Sequence, residues 1–390
     1  MKTNKSKKTR MVRFVVFVLL VSATSTFAYP PDNAAVLYYK AFMLYESPDN
    51  LGTMLWDYWK GKIESNEKIE ECLKKNRRII DMVLDASRID HCDWGLDYSR
   101  GTEVLLPPHH KARDIFALLA AEARMQADKG DYKKALGCCI SICRMARHLN
   151  ERPIISYLVG IAINAANNQC ITLFLSEMPL NTEILTWLRG ELTELDKQPF
   201  SIEPVLDWKR QAGIISMSLE KISDAVQSGL DDGPTKKKIL ERISTANQQF
   251  FAKNITYWNN YMDSLEAAFE LPYPQGYAKL KKLDEELSKE FKTNTDATLT
   301  IVFGPAWQRI YTLSVRLNTH SNALKVAIEI YLIKAKTDKL PDTLPAGLPG
   351  DLFSGKDFNY EKTTDGFVLH CRGKDLDKDE IYEYEFKVKK

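Results

Sequence analysis

Three of the six histidines lie near a cysteine and an aspartate in one polar segment between predicted helices. These residues are His91, Cys92, Asp93, His109 and His110. Zinc takes such ligands, and a cysteine beside a histidine can act as a nucleophile. The spacing matches neither H-E-x-x-H nor paired C-x-x-C motifs. We therefore predict a structured loop without a metal centre, and an exported hydrolase with its site in this loop is the alternative.

A second candidate is the run GKDLDKDE, in which Asp375, Asp377 and Asp379 alternate with other residues. Hard cations such as Ca²⁺ bind several oxygens from a short turning loop. An EF-hand loop that begins at Asp375 needs glycine at its sixth position and glutamate at its twelfth, where this chain has Glu380 and Phe386. We predict an acidic turn on the surface and no cofactor, with calcium binding as the alternative.

The N-terminus has the features of a secretory signal. A basic segment precedes the apolar run FVVFVLLVSA, and small residues, Thr26 and Ala28, precede Tyr29. The apolar run is short for a membrane span, which needs about 20 residues. We predict cleavage of residues 1–28 and a periplasmic or extracellular protein with no stable membrane span. The alternative is an uncleaved signal anchor in the inner membrane.

The charge balance argues against nucleic acid as a partner. Residues 1–28 contain six of the 54 lysines and arginines and none of the 52 acidic residues, so the remaining 48 basic residues give a net charge near −4. Nucleic-acid binding needs a concentrated positive surface. A protein partner, of unidentified kind, fits this composition better.

The seven cysteines do not define a disulfide pattern. Their count is odd, and Cys138 and Cys170 lie on successive predicted helices about 7.5 Å out of register. Cys72 and Cys92 could meet if the loop folds back along its helix. We predict that buried cysteines act mainly as small apolar side chains.

Helical periodicity dominates residues 29–304, which we predict to form one helical domain of αα-hairpins. The segment before GDYKKAL ends with Gly130 as the residue after a helix and Asp131 as the N-cap of the next, so this hairpin resembles one tetratricopeptide unit. The flanks do not repeat its pattern, so we predict a single hairpin and no array. Further helices are expected near 33–45, 64–86, 153–178, 182–197, 203–227 and 236–270, and Asp32 is the expected N-cap of the first. The helix near 153–178 is apolar on nearly all sides, which predicts a buried central element.

Residues 305–390 are predicted to form a long helix and a small β-meander. The helix beginning near Pro305 places Ile328 and Tyr331 on one side, and the segments DFNYE, GFVLHC and IYEYEFKV alternate in polarity between turn signals. A sheet of three short strands needs a covering partner. We expect it to pack on the long helix through Phe367 and its neighbours. The predicted fold class is therefore mainly α with a C-terminal antiparallel meander.

The tail resembles the C-terminal part of the major pseudopilin of type II secretion, and also the tails of secreted bacterial helical proteins of unassigned activity. Leu340-Pro341, Asp351, Phe353, Gly355 and Tyr360 match the pattern. The family usually has proline where this chain has Leu352, and the N-terminus lacks a prepilin peptidase site. The resemblance implies export, assembly at the envelope and calcium near the acidic turn.

Two function classes follow from these patterns. The first is a secreted or periplasmic helical interaction or scaffold protein, and the second is the exported hydrolase. Because no catalytic signature is present, we favour the interaction protein.

Overall fold

The structure is a computed structural model that describes residues 32–389 apart from 47–50, 107, 151, 219–220, 224–225, 228–229 and 305–306. The predicted signal peptide, residues 1–28, lies outside the described residues. The fold is mainly α-helical and ends in a three-stranded antiparallel sheet, so the predicted fold class is confirmed.

The helices and strands with described bounds follow in chain order. They are α1 (Ala34–Leu44), α2 (Leu51–Trp59), α3 (Glu67–Lys75), α4 (Arg77–Ala86), α5 (Pro108–Asp128), α6 (Tyr132–His148), α7 (Ile154–Glu177), α8 (Thr182–Asp196), α9 (Glu203–Ser216), α10 (Pro234–Ser244), α11 (Gln248–Phe269), α12 (Tyr273–Glu290), α13 (Thr300–Phe303), α14 (Trp307–Thr337), β1 (Asn359–Lys362), β2 (Gly366–His370) and β3 (Glu383–Lys387). Short 3₁₀ turns span Tyr98–Glu103 and Thr295–Ala297.

The predicted hairpin is formed by α5 and α6. Gly130 has a φ of +79°, and the Asp131 carboxylate accepts a hydrogen bond of 3.1 Å from the Lys134 amide. Glycine adopts this left-handed backbone without the steric cost that a Cβ brings, and the aspartate satisfies an amide of the first helical turn. The sequence therefore located this turn and its cap correctly.

Asparagines mark three places where the structure differs from the expected helix bounds. The N-cap of α1 is Asn33, whose side chain accepts from the Ala35 amide, and it is not Asp32. The expected helix 64–86 divides into α3 and α4 at Asn76, whose side chain donates to the Cys72 carbonyl at 2.9 Å. Asn247 similarly caps the start of α11, inside the expected helix 236–270. Asparagine side chains compete with the backbone hydrogen bonds of a helix, which explains all three.

Helix α9 is also shorter than expected. It ends at Ser216, and Met217 has left the helical conformation with a ψ of 25°. Helical residues resume at 221–223 and 226–227, so the expected helix 203–227 is interrupted after Ser216. Boundaries set by a change of one backbone angle are not visible in hydrophobic periodicity.

Helix α7 is the central apolar element that the sequence predicted. By length and composition it could cross a membrane. In the structure it contacts α5, α6, α9, α14 and strand β3. An apolar helix surrounded in this way supplies core side chains on several faces, which accounts for its lack of a polar stripe.

The sheet packs on α14 through one buried face. Phe367, which is fully buried, lies 5.5 Å from the Tyr331 ring and 5.3 Å from the Phe386 ring. The Tyr331 hydroxyl also donates to the Lys387 carbonyl at 2.7 Å. The predicted meander, its buried face and its helical partner Tyr331 are confirmed.

Candidate functional site

An apolar groove separates α7 from α14 where both helices meet the start of β3. It has a volume of about 690 Å³. Its walls are formed by apolar side chains of the two helices and by the residues that lead into the sheet. They include Leu158, Ile161, Ala162, Ala165, Ile310, Leu313, Leu317 and Tyr384. We call this cavity the apolar groove.

A second cavity of about 550 Å³ adjoins the apolar groove and lies between α7 and β3. The two cavities share Gln169, His320, Glu383 and Tyr384. We call this second space the edge cavity because β3 is the outer strand of the sheet. The two spaces together give a continuous surface with apolar walls and a few polar groups, which is the usual character of a binding site.

His320 stands where the two cavities meet. Its ring stacks on Tyr384 with centroids 4.7 Å apart, and its Nε2 lies 3.1 Å from the Thr172 hydroxyl. Burial lowers the pKa of His320 to about 4. The imidazole is therefore neutral at pH 7, and it offers a polar group to a ligand without adding charge to the groove.

Arg316, which lines the apolar groove, forms a salt bridge with Asp375. The guanidinium donates to one carboxylate oxygen at 2.5 and 3.1 Å, and it also lies over the Tyr382 ring. Burial alone would raise the pKa of Asp375, but the hydrogen bonds from Arg316 and from the Lys378 and Asp377 amides outweigh burial and lower that pKa. The pair fixes the acidic turn to α14.

The tail uses the same turn twice. The Asp351 amide donates to the Lys356 carbonyl at 2.8 Å, and the Asp375 amide donates to the Glu380 carbonyl at the same distance. The fifth residue has a positive φ in both turns, +69° at Gly355 and +63° at Asp379. The repeated Asp-Leu at the start of DLFSGK and DLDKDE was the available sequence signal, and sequence reasoning missed it.

The two buried aspartates hold different parts of the tail. Asp351 accepts hydrogen bonds from the backbone amides of Phe353, Arg372 and Gly373, so it joins the first turn to the end of β2. Asp375 instead binds α14 through Arg316. Both carboxylates are fully buried. These residues are therefore structural parts of the tail.

The calcium candidates do not converge in the structure. The Asp375 carboxylate is occupied by Arg316, by two amides and by the Tyr382 hydroxyl. Asp379 pairs with Lys374 at 2.5 Å, and Asp377 is exposed. Within the part of the chain that the structure describes, no three histidine, cysteine, aspartate or glutamate side chains are grouped so that they could hold a metal ion.

The loop candidates are also divided among different environments. His109 begins α5 and lies 2.8 Å from the Ser156 hydroxyl, while burial lowers its pKa. His110 is exposed near Asp114. The Asp93 carboxylate accepts from the Gly95 amide, and the His91 carbonyl accepts from the Ala34 amide. The Asp93–Gly95 contact is local, whereas the contacts of His91 with Ala34 and of His109 with Ser156 join distant parts of the chain.

Cys92 instead lines a separate polar cavity of about 520 Å³. His148 and Arg147 line it too, and burial lowers the pKa of His148 to about 4. Arg147 donates to the carbonyls of Leu195 and Gln198 at the end of α8. Sequence reasoning had not connected Cys92 with His148, because the two residues lie on elements that are far apart in the chain.

All seven cysteines lie in the described part of the chain, and no disulfide links them. Six are buried, and Cys92 is half-buried. Burial raises the pKa of Cys138 to about 12. Cys139 and Cys143 also have raised pKa values because of burial, so their thiols stay protonated and unreactive.

Comparisons with protein-family models, with curated proteins and with solved structures found no match to this chain.

Proposed function

We propose that this protein is an exported helical interaction protein, periplasmic or extracellular, that holds a protein partner in the apolar groove. The observation that carries the proposal is the groove itself. It is large, its walls are mainly apolar, and it lies between rigid elements of the fold. A site of this kind fixes an apolar side chain of a partner by removing it from water, with each fully buried side chain contributing about 1.5–3 kcal/mol.

Two sequence features support export. Residues 1–28 have the order of a secretory signal, and the tail resembles that of the major pseudopilin. The resemblance favours a role in assembly at the cell envelope. The near-neutral, slightly acidic charge after removal of the signal fits a protein partner better than nucleic acid.

The test places a photo-crosslinking amino acid in the groove at Ala165 and, as a matched control, at Ala278 on α12. Ala165 is half-buried on the groove wall, whereas Ala278 is exposed elsewhere on the surface. In cells that naturally produce the protein, we expect a discrete adduct of fixed mass from position 165 and none from position 278. A crosslinker at Leu313, which also lines the groove, should give the same adduct. An Ala165→Trp substitution should abolish that adduct, because the indole fills the groove.

The groove would be refuted as the binding surface if the crosslinker at 165 gave no adduct, or if the crosslinkers at 165 and 278 gave equal adducts.

The exported hydrolase is a second candidate, and one observation favours it. Cys92 lines the polar cavity together with His148, whose neutral imidazole could accept a proton from a thiol. Its site would therefore be the polar cavity and would not include His109 or His110, which do not line it. Hydrolysis of generic ester or peptide substrates that is lost in Cys92→Ser and His148→Gln would support this candidate.

A further inference from the structure

The outer edge of β3 carries backbone groups that face away from the rest of the sheet. At the two ends of β3, the Tyr382 carbonyl accepts from the Cys371 amide, and the Val388 amide donates to the Asp365 carbonyl. Residues that pair with the neighbouring strand alternate along an antiparallel strand. The amides and carbonyls of Glu383, Glu385 and Lys387 therefore point away from β2.

At Lys387 the outer edge of β3 is already bound by side chains of α7 and α14. Its amide donates to the Ser176 hydroxyl of α7 at 3.2 Å, and its carbonyl accepts from the Tyr331 hydroxyl. The edge cavity lies between α7 and the remainder of β3. The outward amides and carbonyls of Glu383 and Glu385 have no hydrogen-bond partner among the described residues. An edge with unpaired backbone groups is a template for an added strand.

Glutamates on the exposed face of the sheet favour a partner strand with basic side chains. Glu385 lies across β2 from Glu361, and Glu383 lies beside His370. The Glu385 carboxylate has no ion-pair partner within the described part of the chain. A strand next to β3 would place its outward side chains beside Glu383 and Glu385. Opposite charges in such cross-strand positions are favourable.

We propose that the Glu383–Glu385 part of β3 accepts an extended segment of a partner protein as a short fourth strand, with apolar side chains in the groove and lysine or arginine beside Glu383 and Glu385. This inference rests on the proposed function and specifies the partner's chemistry. Backbone hydrogen bonds would supply affinity, and the alternation of apolar and basic residues would supply selectivity. Charge complementarity with the glutamates distinguishes this occupant from an acidic or uncharged segment.

The binding test uses the fluorescein-labelled peptide acetyl-KVKLKVK-amide and the mature chain. We expect saturable binding, seen as a rise in fluorescence anisotropy, with the charge-inverted peptide acetyl-EVELEVE-amide binding at least tenfold more weakly. Equal binding of the two peptides, or no binding of the basic peptide, would overturn the proposal. The crosslinking experiment at Ala165 tests the groove separately, so the two failures can be told apart.

A proline substitution separates backbone pairing from charge. Glu385→Pro removes an outward amide and leaves the inner hydrogen bonds to β2 in place, as edge positions allow. Glu385→Gln removes only the charge. We expect about threefold weaker binding for Glu385→Gln and at least about tenfold weaker binding for Glu385→Pro, because a peptide carbonyl also loses its donor. Equal effects of the two substitutions would exclude strand addition while leaving the groove as a binding surface.

Amide hydrogen exchange of the unmutated protein gives a readout that does not depend on the folding of a variant. Saturating peptide should slow exchange at the Glu383 and Glu385 amides at least about tenfold, because these amides become hydrogen-bonded. The Tyr384 and Phe386 amides, already directed toward β2, serve as internal controls and should change little. Bound peptide without protection of Glu383 and Glu385 would overturn the proposed strand.

Discussion

Arg316 of the long helix and Asp375 of the last turn form a salt bridge in which the carboxylate is fully buried and the closest atoms are 2.5 Å apart. This pair joins the long helix to the tail beside the apolar groove, which Arg316 lines. Breaking a buried pair by removing one partner is costly, because the remaining charge stays out of water without compensation.

We therefore expect Asp375→Asn to lower the free energy of unfolding by about 3 kcal/mol at pH 7. Asp377→Asn is the matched control, because Asp377 lies two residues away and is exposed. Urea unfolding followed by circular dichroism measures both. A loss in Asp375→Asn no larger than that in the control would show that the salt bridge does not hold the tail.

The same pair predicts the response to acid. The folded protein lowers the pKa of Asp375 below its value in the unfolded chain. The resulting stabilisation is fully present above the unfolded pKa, near 4, and is lost as the pH falls through the lower folded pKa. Wild type should therefore lose stability more steeply than Asp375→Asn as the pH falls below about 4. Parallel pH profiles would contradict this linkage.

Phe367→Ala should loosen the tail without unfolding the helices. Phe367 is fully buried between Tyr331 and Phe386, and such truncations cost about 3–5 kcal/mol. Val368→Ala, on the half-buried opposite face, is the control. Limited proteolysis should release residues after about 340 from the Phe367 variant. A tail as resistant as that of wild type would mean that the sheet does not depend on this contact.

Gly373 permits a close approach between the two turns. A Cβ at this position would lie 2.3 Å from the carbonyl carbon of Phe353, whereas a Cβ at Gly190 in α8 would meet nothing within 4 Å. We expect Gly373→Ala to lower the melting temperature by several degrees, corresponding to about 1–3 kcal/mol. Gly190→Ala should leave it unchanged or raise it, because alanine favours helix. The reverse order would refute this packing.

Cys92 should be the thiol that reacts fastest with a soluble disulfide reagent. It is half-buried on a cavity wall, whereas the other six cysteines are buried. We expect about one equivalent of rapid reaction in the folded protein and seven after unfolding. Cys92→Ser should remove the rapid phase, and Cys72→Ser is the control. Rapid reaction that persists in Cys92→Ser would contradict the described burial.

Export predicts a mature protein that begins at Tyr29. The intact mass of material from the native cell envelope, or from that of a heterologous bacterial host, should correspond to loss of residues 1–28. Retention of the full-length mass would support the signal-anchor alternative.

The sequence predicted elements that rest on local patterns. The turn at Gly130 and Asp131, the apolar helix α7 and the three strands each have a local signal in residue type or alternation. The breaks at Asn76 and Asn247 were missed because one polar side chain ends a helix without changing the average hydrophobicity around it.

The candidate site was harder to predict because its parts are distant in sequence. The groove needs α7, α14 and β3 together, and α7 was assigned wholly to the core. The polar residue Gln169 on that apolar helix was the available signal, and in the structure it is exposed. The grouping of Cys92 with His109 and His110 followed sequence proximity, but the fold pairs Cys92 with His148 in one cavity.

The hydrogen bond between Ser176 and Lys387 has a consequence for the order of folding. It joins residues 211 positions apart. Closing such a loop costs about 2 kcal/mol more in chain entropy than closing one of 20 residues, so contacts within hairpins such as α5 and α6 should form first. Until the tail docks, the walls of α7 and α14 lie open to water. The partner segment that we propose can therefore occupy the groove only after the tail has docked, because the residues that lead into β3 form part of its wall.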